Sequence, residues 1–490
     1  MTTKAAATDE AAYDVRAGDG HRTRFLPPTG APPPATHRAA AAKPVPRTLL
    51  SLPPEVIVLV FGWLDARSLA RVAASCSVLY RDQPRPMNTV EEALRERASA
   101  RGHTSPGPLP EGVTSRATHL AWLEHRREEA WMPVAACSKG AFFAADGGRL
   151  MGYVTSHHEL PPTMARTPTL LPSMAGIHIR GVSSGLGFSA AVSAAGHVYT
   201  WGSGTTGRLG HGDDQGSLLP KQVRAMTEHQ VLSVAAGTFH CLAVTERCEV
   251  FSWGWNRKGQ CGHEGAGHTQ LLPRRIEALM GVRARSASAG GAHSLVVTED
   301  GALYSFGYGG QGQLGHGSHE DVCSPKRVDE LRHVRIATAA AGGTFSLALA
   351  GDDTVFSWGC NAHGRLGLGR SGGAETSPQR IEALREVRAV AAAEDTGCAV
   401  TATGELYTWG NGYHGRLGHG DDAEQHVPKR VEALRDEWVV AVSSSNWHTT
   451  AVSRDGGVFG WFGWGAHALL GADSNARPRR YAQIVCLQQP

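Results

Sequence analysis

From residue 131 onward the chain rewrites one passage. An aromatic residue followed by glycine recurs at Trp201-Gly202, Trp253-Gly254, Phe306-Gly307, Trp358-Gly359 and Trp409-Gly410, spaced by 52, 53, 52 and 51 residues. No other feature constrains the fold as tightly. A unit of about 50 residues that repeats head to tail must bury its apolar faces on its own neighbours, which makes a stacked array or a closed ring. Phe462-Gly463 continues the series, with Trp461 as an alternative register. "VAACSKGAFFAADGGRLMGYV" at 134–154 reads as a shortened first copy. Seven copies of about 51 residues then fill 131–490.

Within a copy the elements are short. "HSLVVTEDGALYSFG" is strand, Asp-Gly turn and strand, a hairpin signal. A third strand is expected near "PKRVEAL" and a fourth near "RAVAAA". Sixty glycines in 490 residues, about 12% against the roughly 7% average, agree with so many turns. The expected fold is mainly β: a seven-bladed β-propeller over 131–490. "EEAWMPVAACS" at 128–138 resembles "RDEWVVAVSSS" at 435–445, so the strand at 131–136 is expected to complete the last blade and close the ring.

The repeat also disposes of two tempting sites. In "YTWGNGYHGRLGHGDD" (407–422) the glycines and Arg416 suggest a phosphate cradle, and the histidines and aspartates a metal site. Gly415, Leu417 and Gly418 have counterparts in three other copies, whereas a catalytic loop is needed once. The spacing G-x-x-x-x-G-K-S/T is absent. His211, His316 and His419 share one repeat position and would be spread around a ring. A second series, His240, His293 and His448, has Phe188, Phe345 and Gly397 at its other positions, so these histidines are read as satisfied side chains. No catalytic set, cofactor site or metal site is expected. The aromatic-glycine pairs are read as structural.

The N-terminal part divides into three. Residues 1–46 are rich in Ala, Pro, Thr and Gly and are expected to be disordered. Residues 47–83 are expected to form short helices, with Pro53 and Pro54 in a first turn and Asp65 as a cap. Residues 84–130 read as a partly helical connector. Three short helices cannot make a core alone, so some of their apolar surface must meet another surface. "LPPEVIVLVFGWLDARSLARVAASCSVLY" resembles an F-box. Leu52, Pro53 and Glu55 match its opening. Val56, Ile57, Val60 and Leu64 follow, then Leu69, Val72 and Cys76, with Leu79 and Tyr80 extending the apolar pattern. The resemblance implies that these residues dock on a Skp-type adaptor of a cullin ubiquitin ligase. The family's typical Trp near the motif's end is replaced, and Tyr80 is the nearest aromatic.

The wording W-G-x-N/G-x-x-G-Q/R-L-G-x-G resembles the regulator-of-chromosome-condensation (RCC-type) repeat over 131–490. The two resemblances together imply a substrate-recognition subunit of a Skp-cullin-F-box ligase, non-catalytic and monomeric within the complex, with the propeller capturing a target protein. The alternative is a guanine-nucleotide exchange factor or a chromatin-associated propeller scaffold. An exchange factor's wedge insertion finds no room in copies spaced by 51–53 residues. A UV-B photoreceptor would need a tryptophan cluster. Trp447 is one echo, but Phe239, Ala292, Thr344 and Thr396 are read at the equivalent positions. A formal charge of +3 gives no reason to expect nucleic acid as main partner, and no apolar run suits a membrane. Nine scattered cysteines without a C-x-x-C pair, and the lack of an apolar N-terminal signal core, suggest a cytoplasmic or nuclear protein.

Overall fold

The computed structural model describes residues 134–483, apart from 138–139, 146–147, 155–168, 265–266, 268, 446–447, 455–456 and 463–478. The expected tail at 1–46, the F-box helices at 47–83 and the connector at 84–130 all lie outside the described residues.

The described strands form seven antiparallel sheets of four, each built from four strands consecutive in the chain. Sheet one covers 134–170, and sheet two runs from Ile179–Ser184 to the outer strand Ser217–Gln222. The others begin at Val231, Ala284, Ile336, Val387 and Val439. The first strands stand side by side around an axis, each against the next. Second strands such as His240–Thr245 and His293–Thr298 are buried at all six positions. Neighbouring sheets cover both of their faces, so they read as apolar runs without strict alternation. The core therefore lies between sheets. Trp253 of sheet three packs with Phe188, Leu209 and Met226 of sheet two, and Trp409 of sheet six with Phe345, Leu366 and Ile381 of sheet five.

Outer strands carry a proline at one repeated place: Pro220, Pro273, Pro325, Pro378 and Pro428. A residue without an N–H blunts an exposed sheet edge against further pairing.

Two expectations are corrected here. The expected seven-bladed propeller behind a helical F-box module is not what the described residues show, which is six full blades and no α-helix. Six sheets are full blades with outer strands of at least five residues, whereas the outer strand of sheet one is the two-residue Thr169–Leu170. No α-helix occurs among the described residues, only strands and single turns of 3-10 helix. Among the described residues its outer strand pairs at Met151 and Gly152, as the outer strand of sheet two pairs at Tyr199 and Thr200.

The second correction concerns closure. Val134–Cys137 does not complete the last blade. It pairs with Gly140–Ala145 in its own sheet, and sheet seven finishes with its own strand Arg479–Gln483. The resemblance of 128–138 to 435–445 is real, but both segments hold first strands. A partner two residues away costs far less closure entropy than one about 300 residues away. The ring closes through side-by-side contact instead. The Ala136 amide donates to Ser443 Oγ at 3.0 Å, as the Ala236 amide does to Ser183 Oγ at 2.9 Å and that of Ala341 to Ser288 Oγ at 3.0 Å.

Candidate binding site at the ring axis

The aromatic-glycine pairs are keys between sheets. Trp253, Phe306, Trp358 and Trp409 are fully buried, and Trp201 nearly so. Three of these indole N–H groups reach the preceding sheet: Trp253 to the Arg208 carbonyl at 3.0 Å, Trp358 to Gln313 at 2.8 Å and Trp409 to Arg365 at 2.9 Å. Trp461 donates in the same way to Arg416 at 2.8 Å and pairs with Thr449 as Trp409 pairs with Gly397. The last member of the series is therefore Trp461, not Phe462. Gly202, Gly254, Gly307, Gly359 and Gly410 have φ between 100° and 108°. At Gly359 a Cβ would lie 2.6 Å from the Thr344 carbonyl oxygen.

Behind each key a hydroxyl holds the glycine loop. Thr200, Ser252, Ser305, Ser357 and Thr408 donate to carbonyls nine residues on, at 2.6–2.7 Å. His211, His263, His316 and His419 then meet the same hydroxyls at 2.9–3.1 Å. With the hydroxyl hydrogen committed to the carbonyl, Nε2–H donates to its oxygen. Sequence reading missed His263, although its place eleven residues after Ser252 matches the series. Leu368 stands at the corresponding place in sheet five, so the histidine is packing rather than chemistry. Burial pushes His263 and His419 down to about 4. Among the described residues no group of three His, Cys, Asp or Glu could hold a metal.

The second histidine series is also buried. His240 Nε2 meets Ser294 Oγ at 2.8 Å and His293 Nε2 meets Ser346 Oγ at 2.9 Å, across sheets. Their Nδ1 atoms have no partner, and burial pushes both rings down to about 3. Strand register puts Thr396, not Gly397, at this position, since Thr396 pairs with Gly410 as His240 pairs with Gly254. One place earlier, Asp395 rather than Thr396 is the counterpart of Trp447.

What the ring brings together is its axial mouth. A recess of about 70 Å³, open to solvent, is lined by the ends of the first strands, including Ser184, Ala236, Ala289, Ala341, Ala392 and Ser444. The backbones beyond them interlock. The Thr238 amide donates to the Gly290 carbonyl at 3.0 Å, Gly291 to Gly342 at 3.0 Å and Gly343 to Ala393 at 2.9 Å. At Gly290 a side chain does not fit, since a Cβ would lie 2.4 Å from the Gly342 oxygen. Sheet six breaks the pattern with Glu394 and Asp395. Arg365 pairs with Asp395 at 2.8 Å and donates to Thr344 Oγ1 at 3.0 Å. Glu394 reaches over Gly343, where a Cβ would come within 2.6 Å of its carboxyl carbon. Burial raises the Glu394 carboxyl above its ordinary range, Asp395 adds to this, and Arg365 opposes it.

Four-stranded sheets keyed by tryptophans around an open axis define a repeat propeller that presents backbone and loop surfaces at its axis. The chain belongs to the regulator of chromosome condensation (RCC1) repeat family. The family model matches residues 195–244, 249–297, 300–349, 352–400 and 403–452, and a second model of the same repeat matches within 231–416. An F-box-like model matches 49–81. The ultraviolet-B receptor UVR8 of Arabidopsis thaliana is 34% identical over 297 residues, 60% of this chain and 67% of the receptor. The E3 ubiquitin-protein ligase HERC2 of Homo sapiens is 34% identical over 377 residues, 74% of this chain but only 8% of the ligase. A crystal structure of Prp20p from Saccharomyces cerevisiae, a protein characterised for binding Gsp1p and histones, superposes with TM-score 0.60 at 22% identity. It covers 73% of this chain and 89% of Prp20p, a likeness of fold. The positions from Leu52 to Tyr80 that the F-box resemblance assigns to adaptor docking lie outside the described residues.

Proposed function

We propose that the chain is a non-catalytic scaffold whose propeller holds a protein partner and whose F-box-like segment docks on a Skp-type adaptor. Target and cullin ligase would thereby share one assembly. The observation that carries this reading is the presence in one chain of an F-box-like segment at 49–81 and a closed RCC1-repeat ring. Its mechanism is effective concentration: a target tethered near the ligase reacts as if it were concentrated. Capture of a purified Skp-type adaptor by the full chain is the test, with Leu52→Ala/Pro53→Ala/Ile57→Asp as control. Capture abolished by the triple change is the expected result; no capture, or capture indifferent to it, refutes adaptor docking.

The fold likeness to Prp20p favours a second reading, a chromatin-associated or GTPase-directed scaffold. Accelerated release of fluorescent GDP from a small GTPase by the full chain, unaffected by the triple change, would select it.

A further inference from the structure

We propose that the axial recess takes a single lysine or arginine side chain of a protein partner, with the Glu394 carboxylate as its counter-ion. This rests on the scaffold reading and names the chemistry of its partner.

Three independent observations converge. The first is shape. The recess has walls of backbone, from Gly237, Gly290 and Gly342 among others, and it opens on the axis. It is tight at the glycines of the collar and admits a slender chain end-on. A lysine or arginine has an apolar stem and a charged head, which suits a narrow recess with one charge in its wall.

The second is an uncompensated charge. Glu394 stands where the neighbouring sheets have Leu186, Thr238, Gly291 and Gly343, so ring geometry does not ask for a carboxylate. Among the described residues no hydrogen bond or ion pair reaches its oxygens, and the nearby Arg365 is already committed to Asp395, Thr344 and the Ala362 carbonyl. A partly desolvated carboxylate without a cation is costly in the free protein and gains from one that a partner brings.

The third is the field around the mouth. The loops that follow the third strands rise at the same end as the recess; Asp213, Asp214, Asp421 and Asp422 are exposed on them, against one exposed Arg257, while Lys258 and Arg370 there are paired with Asp321 and Glu375. The aspartates would steer a cationic segment toward this end and repel an acidic one.

The probe is an array of short peptides with Gly/Ser and apolar flanks. Each has lysine, arginine, norleucine or glutamate at its centre, and the array is read with the labelled full chain. Wild type should retain the lysine- and arginine-centred peptides over the norleucine and glutamate ones. Glu394→Gln should cost about tenfold or more in affinity for the basic set. Glu394→Lys should reverse the preference, while thermal melting of both variants stays within a few degrees of wild type. A norleucine peptide bound as well as its lysine counterpart, a Glu394→Gln variant with undiminished preference, or no peptide retained at all would overturn the proposal. Adaptor capture is measured on the same variants. It involves the other end of the chain and should be unchanged, so loss of the cation preference and loss of adaptor docking are separate results.

Discussion

Gly359 shows how much one atom matters in this ring. Its φ of 104° and the 2.6 Å approach of a would-be Cβ to the Thr344 oxygen leave no alternative residue. Gly359→Ala should destabilise the chain by roughly 1–3 kcal/mol in urea denaturation. Gly281→Ala, with φ of 82° but open space around it, carries only the left-handed backbone cost of about 1 kcal/mol. A larger effect at Gly281 than at Gly359 would contradict this assignment. The histidines set a pH dependence. His240 and His293 are pushed down to about 3, and His263 and His419 to about 4, each chiefly by burial. Unfolded, all four take up protons near pH 6.5. Between that value and the lowered ones the unfolded chain binds more protons, so their contribution to stability is complete above about pH 6.5 and declines as pH falls toward 4 and 3. Tm should therefore drop on acidification from about pH 7 to 5. His240→Phe, which copies Phe188 and Phe345, should make the drop shallower, and an equal slope in that variant would show that these rings are not its source.

At the scale of the element, the sheet-to-sheet key is a tryptophan with one hydrogen bond. Trp358→Phe keeps an aromatic of the kind Phe306 supplies in sheet four and forfeits the bond to the Gln313 carbonyl, an oxygen that Ser346 Oγ also reaches at 2.8 Å, together with part of the buried ring. The expected loss is about 2 kcal/mol. Trp358→Ala leaves a cavity and should cost about 3–5 kcal/mol. Equal losses in chemical denaturation would mean that the N–H, not the ring, does the keying. The hairpins were legible because turn chemistry and spacing are local. The middle strands were recognisable as apolar, yet their burial on both faces follows from neighbours about 50 residues away. The register at Trp461 was ambiguous in sequence because Trp and Phe are adjacent there; the hydrogen bond to Arg416 resolves it. The short first copy was visible in the sequence because the missing wording is local.

At the scale of the whole molecule, the family repeats and the sheets are out of phase. The match at 195–244 begins before the third strand of sheet two and ends in the second strand of sheet three. Each repeat thus crosses a sheet boundary and ties two blades covalently. The seam between sheets seven and one lacks such a tie and is held by contacts such as Ala136 with Ser443. A chain from which residues 1–170 are removed should lose this closure, exposing the faces of sheets two and seven. Its melting, followed by circular dichroism, should broaden and shift downward, with aggregation; a sharp transition at the full-length Tm would show that sheet one is dispensable. The sequence by itself determined the repeat, the four short strands per unit, the structural role of the aromatic-glycine pairs and the F-box-like segment, because periodicity and short motifs are written in neighbouring residues. The tertiary structure alone decided how the ring closes, which sheets are full blades, and that Glu394 lies over Gly343 at the axis. Those outcomes depend on which backbones meet across hundreds of residues, and no local pattern encodes that meeting.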